Sequence, residues 1–260
     1  MAIVTLTSDL GLKDYYVSAV KGALYSQLPD IRIVDITHDI AKFNILEAAF
    51  ALKNAYYAFP KGSIHIIGVQ AELNEYTCHV VVEHNDHFFI AADNGVFSLL
   101  FDQNPDRVFE LSIKHDSNTT TFPIRDVFVK AAAHLARGGT PEVIGIQKTE
   151  LLIKSEYQVF VEENAIKGSV VYVDSYGNAI TNITLDIFKQ VGRGREFAIG
   201  AKVKGYDITA LSTNYGNVPA GERLGLFGVT GYLEIAINFG SATNLLGLKL
   251  HDMVRIEFIG

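Results

Sequence analysis

One turn, Asp174-Ser175-Tyr176-Gly177-Asn178, places a carboxylate, an aromatic ring and an amide directly after the apolar β run Val170–Val173. Gly and Asn are common turn residues, so this composition is typical of an ordinary tight turn. The same groups could instead hold a polar ligand with an aromatic face, such as a nucleoside. The residues of the turn alone leave both interpretations open.

A second polar group follows the first predicted strand, Ala2–Leu6, and precedes a helical pattern from about Asp14 to Leu24. Asp9 stands in this loop, which reads Thr7-Ser8-Asp9-Leu10-Gly11. A loop between a strand and a helix is where open α/β sheets bind ligands. Asp9 could therefore accept hydrogen bonds from ribose hydroxyls, or it could cap a turn. The sequence contains neither a GxGxxG motif nor a P-loop.

The histidines offer two further sites for chemistry. His38, beside Asp39, is a candidate catalytic residue; since no Ser or Cys nucleophile motif accompanies it, the alternative is a loop histidine bonded to backbone. His79, His84 and His87 are expected at alternating strand positions and at a solvated hairpin tip. No metal site is expected there.

Alternating strands and helices up to about residue 146 predict an α/β domain around a mostly parallel sheet. Ile45–Ala58 is a predicted helix, Ser63–Val69 a strand buried on both faces, and His79–Ala92 a hairpin. Phe122-Pro123-Ile124 is expected to be extended, because proline disfavours helix before it.

From Leu151 onward the pattern changes to short β runs with Gly-rich turns, which predicts an all-β barrel or sandwich. These runs are Tyr157–Glu162, Gly168–Val173, Glu196–Val203, Leu224–Gly228 and Met253–Phe258. We therefore predict domains at residues 1–150 and 164–260, with residues 151–163 as a linker.

The composition of the 260 residues, 48% hydrophobic and 20% charged with a net charge of −7, is typical of a soluble globular protein. Without a Lys/Arg block, neither nucleic acid nor a membrane surface is an expected partner. The single cysteine, Cys78, excludes an intrachain disulfide and a thiolate metal cluster. The first residues lack the pattern of a signal peptide, and no apolar run is long enough to span a bilayer, so the expected location is cytoplasmic.

Six short segments, in this order, together resemble one family, the S-adenosylmethionine (SAM) hydroxide adenosyltransferases, which are related to SAM-dependent fluorinases and chlorinases. The segments are Thr7–Gly11, Val34–Ile40, Ala92–Gly95, Arg125–Asp126 followed by Ala131–Ala136, Val173–Asn178 with Ile180–Ile183, and Gly231–Asn238. The resemblance implies an N-terminal α/β domain and a C-terminal β-barrel. It also implies a homotrimer whose nucleoside sites lie between the N-terminal domain of one subunit and the C-terminal domain of its neighbour.

The resemblance further implies a reaction without a cofactor, with SAM as the substrate. A nucleophile attacks C5′ and methionine leaves as a neutral thioether, so no general acid is needed. The implied contacts are Asp9 with the ribose, Phe43 near the nucleoside, Asp174 with the methionine ammonium, and Asn178 and Phe239 with adenine. The predicted substrate-binding set is completed by Asn94, Phe122 and Asn238.

The catalytic positions differ from the family pattern. Hydrolytic members carry an Asp-Pro-Gly, an Arg and a His; here Gln70-Ala71-Glu72, Thr77 or Cys78, and Pro123 occupy those places. Gln70 is expected to orient water, and Glu72 or Glu75 to supply the base.

Three functions follow from this pattern. The first is SAM hydrolysis to adenosine and methionine. The alternatives are a non-catalytic protein that binds adenosine or SAM, and a transferase that uses another small nucleophile such as a halide.

Overall fold

The computed structural model describes residues 2–113, 120–155, 158–200 and 207–260. The chain divides into two compact units, residues 1–155 and 156–260. The predicted linker, residues 151–163, is therefore shared between the units. Tyr157 and Val203, the predicted ends of two strands, lie outside the described residues.

The first unit is built on a mixed sheet with the strand order β2-β1-β3-β5-β4-β6-β7. The strands are β1 (Ile3–Ser8), β2 (Arg32–Thr37), β3 (Ile64–Gly68), β4 (His79–His84), β5 (His87–Ala92), β6 (Arg107–Leu111) and β7 (Gly145–Lys148). Strands β2, β1, β3 and β5 are parallel neighbours, and β4, β6 and β7 extend the sheet with antiparallel pairing. The mostly parallel α/β sheet predicted from the sequence is confirmed.

Helices cover both faces of this sheet because its central strands are apolar on both sides. Ile67 and Val69 pack in one core cluster, whereas Ile64 and Ile66 pack in the other. The helices are α1 (Tyr16–Gln27), α2 (Ile45–Lys53), α3 (Val96–Leu100), α4 (Val129–Ala136) and α5 (Pro141–Ile144), with a π-helical turn at Ile124–Phe128. Strand β3 is buried along its whole length, as predicted.

Two predicted elements of this unit were wrong in detail. Helix α2 ends at Lys53, and a separate 3₁₀ turn, Tyr56–Ala58, follows where the sequence predicted continuous helix. Pro123 was expected in extended chain, but it has helical angles (φ −62°, ψ −29°) and begins the helical segment. A proline fits there because the first turn of a helix needs no N–H donor from it.

The β4–β5 hairpin is confirmed, but its tip is shorter than expected. Only Asn85 and Asp86 form the turn, both with positive φ (51° and 62°), as a two-residue type I′ turn requires. His84 and His87 pair with each other at the strand ends and are buried rather than solvated. Among the described residues, no group of three or more His, Cys, Asp or Glu is placed to hold a metal ion.

The second unit is a barrel-like antiparallel sheet with the order β11-β14-β9-β10-β13-β12, with β8 paired to β9. Its strands are β8 (Phe160–Glu162), β9 (Ala165–Val173), β10 (Ala179–Thr184), β11 (Glu196–Gly200), β12 (Arg223–Phe227), β13 (Tyr232–Ile237) and β14 (Met253–Ile259). Isolated bridges join Ile208 to Ile199 of β11 and Leu211 to Gly225 of β12. The segment that contains Ile208 and Leu211 thus links the two edge strands, and the sheet is nearly closed into a barrel. Two short helices, α6 (Leu185–Gly192) and α7 (Ala242–Leu245), complete the unit.

No helix in the described ranges is long and apolar enough to cross a membrane.

Candidate functional site

The first unit gathers four predicted site residues at one edge of its sheet. Asp9 follows β1, Phe43 lies in the segment after β2, Gln70 follows β3 and Asn94 follows β5. These four strands are parallel neighbours, so their carboxyl ends meet at the same edge. This edge is where open α/β sheets bind ligands.

Hydrogen bonds join these four residues in a continuous chain. The Oδ2 atom of Asp9 accepts the backbone N–H of Phe43 at 2.8 Å, and the Phe43 carbonyl accepts Nε2 of Gln70 at 2.7 Å. Asn94 donates its side-chain amide to the carbonyls of Gln70 (3.1 Å) and Val69 (3.0 Å). The sequence predicted the four residues individually, and the structure places them in one network.

Two members of this network have strained backbones. Phe43 and Gln70 have φ angles of 64° and 47°, in the left-handed region that side chains other than glycine rarely adopt. Phe43 is also 65% exposed despite being a large aromatic residue. Strain of this kind persists where the surrounding structure imposes it, and it is concentrated at ligand sites. An exposed ring beside a buried carboxylate is a suitable surface for the base or sugar of a nucleoside.

A second chain of side chains lies directly beside Asp9. Ser8 Oγ and His38 Nδ1 are 2.7 Å apart, and Nε2 of His38 lies 3.1 Å from Oδ1 of Asp35. Lys21 binds the other oxygen of Asp35 at 2.6 Å. Ser8 and His38 are buried. His38 is thus hydrogen-bonded to Ser8 and in charge contact with Asp35, to which its Nε2 makes no hydrogen bond. Neither the Asp39 pairing nor the purely backbone-bonded alternative describes it.

The charge of Asp35 is stabilised within this chain. Partial burial disfavours the carboxylate, but hydrogen bonds and charge from Lys21 and His38 outweigh it and hold the pKa of Asp35 below its usual range. No role was predicted for Ser8 because it is 30 residues from His38, nor for Asp35, which is three residues from His38. The available signal was that Ser8 ends β1 and His38 directly follows β2, the parallel neighbour of β1.

Two predicted residues of the first unit do not join these networks through their described contacts. Glu72 is exposed in the loop after β3. Phe122 packs edge-on against Tyr16 (5.4 Å between ring centroids) and lies under the Arg125 guanidinium at 5.1 Å.

In the second unit the turn after β9 is closed by its own side chains. Asp174 Oδ1 accepts the backbone N–H groups of Tyr176 (3.0 Å) and Asn178 (2.8 Å), and Oδ2 accepts Nδ2 of Asn178 at 2.9 Å. Gly177 has φ 81°, and a β-carbon there would approach Ser241 Oγ to 2.1 Å. The tight-turn interpretation is therefore correct. It does not exclude a ligand, because a carboxylate oxygen can accept more than one hydrogen bond.

A carboxylate that the sequence analysis missed lies near this turn. Glu234 of β13 is 8% exposed and accepts the hydroxyl of Tyr215 at 2.6 Å. Burial raises the pKa of Glu234, and the nearby charge of Asp174 raises it further, against the effect of the Tyr215 hydrogen bond. A glutamate inside the otherwise apolar run Tyr232–Ile237 was the available signal.

The two remaining predicted residues follow β13. Asn238 donates Nδ2 to the carbonyl of Val218 at 2.7 Å, so its amide fastens the segment that precedes β12. Phe239 is 94% exposed and has φ 52°, which presents its ring and backbone to solvent.

Comparison with known proteins identifies the family of this chain. Sequence models of the SAM hydroxide adenosyltransferase N-terminal and C-terminal domains match residues 4–145 and 168–255 respectively. The chain belongs to the SAM hydroxide adenosyltransferase family. The resemblance inferred from six short segments is thereby confirmed.

Individual relatives of this SAM hydroxide adenosyltransferase family member support the same assignment. The (R)-S-adenosyl-L-methionine hydrolase of Thermus thermophilus is 31% identical over 271 residues, covering 98% of this chain and 100% of the relative. The protein of that name from Methanocaldococcus jannaschii is 29% identical over 195 residues, covering 71% of this chain and 68% of the relative. Fluorinases also match, at 21–23% identity.

The fold has a near counterpart among solved structures. An uncharacterized conserved protein from Thermotoga maritima aligns with a TM-score of 0.89 and 29% sequence identity, over 98% of this chain and 99% of that chain.

Proposed function

We propose that this protein hydrolyses SAM by attack of water at C5′, giving adenosine and methionine. The observation that carries the proposal is the hydrogen-bonded chain of Asp9, Phe43, Gln70 and Asn94 at the ligand-binding edge of a family α/β domain. Full-length relatives named as (R)-SAM hydrolases support the choice of reaction.

Each group at this edge suits a part of the substrate. Oδ2 of Asp9 is held by Phe43, which leaves Oδ1 of the buried carboxylate to accept ribose hydroxyls. The exposed ring of Phe43 offers a face for the nucleoside. Nε2 of Gln70 donates a hydrogen bond to the Phe43 carbonyl, so the amide oxygen of Gln70 remains to accept a hydrogen bond from water.

The second unit is proposed to bind the rest of the substrate. Asp174 would pair with the methionine ammonium, and Asn178, Phe239 and Asn238 would contact adenine. We further propose a cytoplasmic homotrimer in which these residues come from a neighbouring subunit, so that each site contains groups from two copies of the chain.

A catalytically silent SAM- or adenosine-binding protein is the second candidate. The observation that favours it is that Gln70 is neutral and Glu72 is exposed, so neither is an evident base for water. A halide-using transferase is the third possibility, since fluorinases are among the matching proteins.

Turnover of pure SAM epimers separates these functions. The protein is incubated with each sulfonium epimer, because the relatives are named for the (R) form, and adenosine and methionine are quantified by chromatography. We expect both products in equal amounts, and their loss in Asp9→Ala. Ligand binding by calorimetry without product would establish the silent protein instead, and consumption that requires added halide would establish the transferase.

A further inference from the structure

We propose that Ser8, His38 and Asp35 form the relay that accepts the proton of the attacking water. This inference rests on the proposed hydrolysis and names its base, which the sequence had placed at Glu72 or Glu75. The geometry is a buried serine hydroxyl 2.7 Å from a histidine nitrogen, with a carboxylate 3.1 Å from the other nitrogen of the same ring.

The partners of the ring favour one neutral form. The Asp35 carboxylate lies 3.1 Å from Nε2 of His38 without hydrogen-bond geometry, but its negative charge favours the tautomer with the proton on Nε2. Nδ1 is then left to accept the Ser8 hydroxyl. This polarity moves a proton in one direction, from Ser8 toward His38. The resulting imidazolium lies beside Asp35, whose own charge is stabilised by Lys21.

The alternative bases are less well placed. Glu72 is exposed in its loop, whereas His38 is 6% and Ser8 3% exposed. A base withdrawn from bulk solvent and held by hydrogen bonds keeps one orientation toward its proton donor. Gln70 accepts no proton at neutral pH and is left to orient the water.

The position of Ser8 suits a relay for chemistry at C5′. It is the last residue of β1, immediately before the proposed ribose carboxylate Asp9, and it pairs in register with Gly68, two residues before Gln70. A cavity of about 10 Å³ lies against Ser8, His38, Gly68 and Ile124, and most of its other lining residues are apolar.

The absence of a side chain at Gly68 keeps this space open on one side. A β-carbon on Gly68 would lie 2.6 Å from the Ile124 side chain and 3.4 Å from Cβ of Ser8. The glycine thus allows Ser8 and Ile124 to approach the end of β3.

The proton and bond changes balance without any co-reactant. An O–C5′ bond forms as the C5′–S⁺ bond breaks, and its electron pair leaves with methionine as a neutral thioether. The water proton passes to Ser8 Oγ while the Ser8 proton passes to Nδ1 of His38. The imidazolium then releases that proton to solvent, which restores the relay.

Three variants test the relay against the wild type by kcat, KM and the pH profile of kcat. His38→Gln keeps a neutral amide near Asp35 but takes no proton, and Ser8→Ala removes the link to water. We expect each to lower kcat by about 100-fold or more with KM within about threefold, as is usual for loss of general-base catalysis. In His38→Gln the fall of kcat at low pH, the acid limb of the profile, should disappear.

Asp35→Asn is the third variant, chosen because it preserves shape. We expect kcat to fall about tenfold and the acid limb to move to lower pH, because the imidazolium loses its counter-charge. Among the described residues, the charged group in contact with His38 is Asp35, and Lys21 pairs with the other oxygen of Asp35. Asp39→Asn, an exposed carboxylate next to His38, is the matched control and should leave kcat and the profile unchanged.

The outcomes separate the relay from the proposed function. If the wild type releases adenosine but His38→Gln and Ser8→Ala keep kcat and the acid limb, the relay is wrong and hydrolysis stands. A rise in KM alone in both variants would also overturn the relay, since it would mean that these residues only hold the Asp9 loop. If the wild type forms no adenosine, the proposed function fails and the relay fails with it.

Discussion

The carboxylate of Asp9 accepts a hydrogen bond from the backbone N–H of Phe43 at 2.8 Å, and Phe43 has a left-handed φ of 64°. One residue is buried and charged, and the other is exposed and aromatic. The hydrogen bond between them ties the loop after β1 to the segment after β2. Under the proposed function, both ligand binding and local stability depend on this pair, and different substitutions should affect one without the other.

Asp9→Asn should weaken SAM binding more than it weakens the fold. The amide oxygen can still accept the Phe43 N–H, but the loss of charge weakens the ribose hydrogen bonds, which are worth about 1.5–3 kcal/mol each when charged. We expect affinity for SAM and adenosine to fall at least tenfold by calorimetry, with little change in melting temperature. Asp9→Ala should lower both quantities; equal melting temperatures for the two variants would contradict the Asp9–Phe43 link.

Phe43→Gly should weaken nucleoside binding without lowering stability. Glycine adopts positive φ without steric cost, so removing the strained residue should raise stability by up to about 1 kcal/mol or leave it unchanged. Loss of the ring should weaken nucleoside affinity about tenfold. Phe43→Leu, which keeps the strain but loses the aromatic face, is the control and should show only the loss of affinity. A Phe43→Gly protein that binds normally would rule out the aromatic contact.

Asp174→Asn should distinguish the methionine end of the substrate from the adenosine end. An asparagine oxygen can keep the hydrogen bonds from the backbone N–H groups of Tyr176 and Asn178, whereas the bond from Nδ2 of Asn178 is lost. The two backbone bonds should preserve the turn. The variant lacks the charge for an ammonium group, so SAM affinity should fall at least tenfold while adenosine affinity stays within about threefold. Equal losses for both ligands would show that Asp174 acts on the turn and not on the ammonium group.

The first unit should lose stability in mild acid because of His65. This buried histidine contacts Thr5 Oγ1 at 2.7 Å and His87 Nδ1 at 3.1 Å, and burial, with a smaller effect of His87, lowers the pKa of His65 to about 3. In the unfolded chain His65 binds a proton near pH 6.5, whereas in the folded chain it stays neutral to much lower pH. The contribution of neutral His65 to the free energy of unfolding is therefore fully present above pH 6.5. It is lost as pH drops toward 3, by up to about 1.4 kcal/mol per pH unit.

Urea unfolding between pH 7.5 and 4.5 measures this dependence. His65→Gln removes the titrating group and should flatten the slope, although its absolute stability should be lower. His134→Gln, at a partly exposed histidine of the same unit, should leave the slope unchanged. A wild-type slope that persists in His65→Gln would assign the acid sensitivity to other groups.

Much of the fold was predictable because its signals are local. The apolar runs that became β3, β4 and β5 are continuous and bounded by turn residues, so their type and pairing followed from pattern. The strand at Ala179–Thr184 was not predicted, because Thr181 and Asn182 interrupt its apolar pattern. Both residues are buried; Thr181 donates its hydroxyl to the Leu233 carbonyl and Asn182 accepts the Ser169 N–H.

The site was predictable only in part, for a similar reason. Asp9, Asn94 and Asp174 stand in short motifs that sequence resemblance detects. The contact between Ser8 and His38 depends on the parallel pairing of β1 with β2, which brings together residues about 30 positions apart. Glu234 lies in the segment Gly231–Asn238 that contributes to the resemblance, but a single charge within an apolar strand gave no reason to assign it a role.

Reaction of SAM in water labelled with oxygen-18 tests the central claim most directly. Mass spectrometry of the products shows which bond formed and which atom supplied the oxygen. Attack by water at C5′ predicts adenosine that carries one heavy oxygen at its 5′ position, together with unlabelled methionine in equal amount. Adenosine without the label, or no adenosine above the level of a protein-free control, would contradict the account.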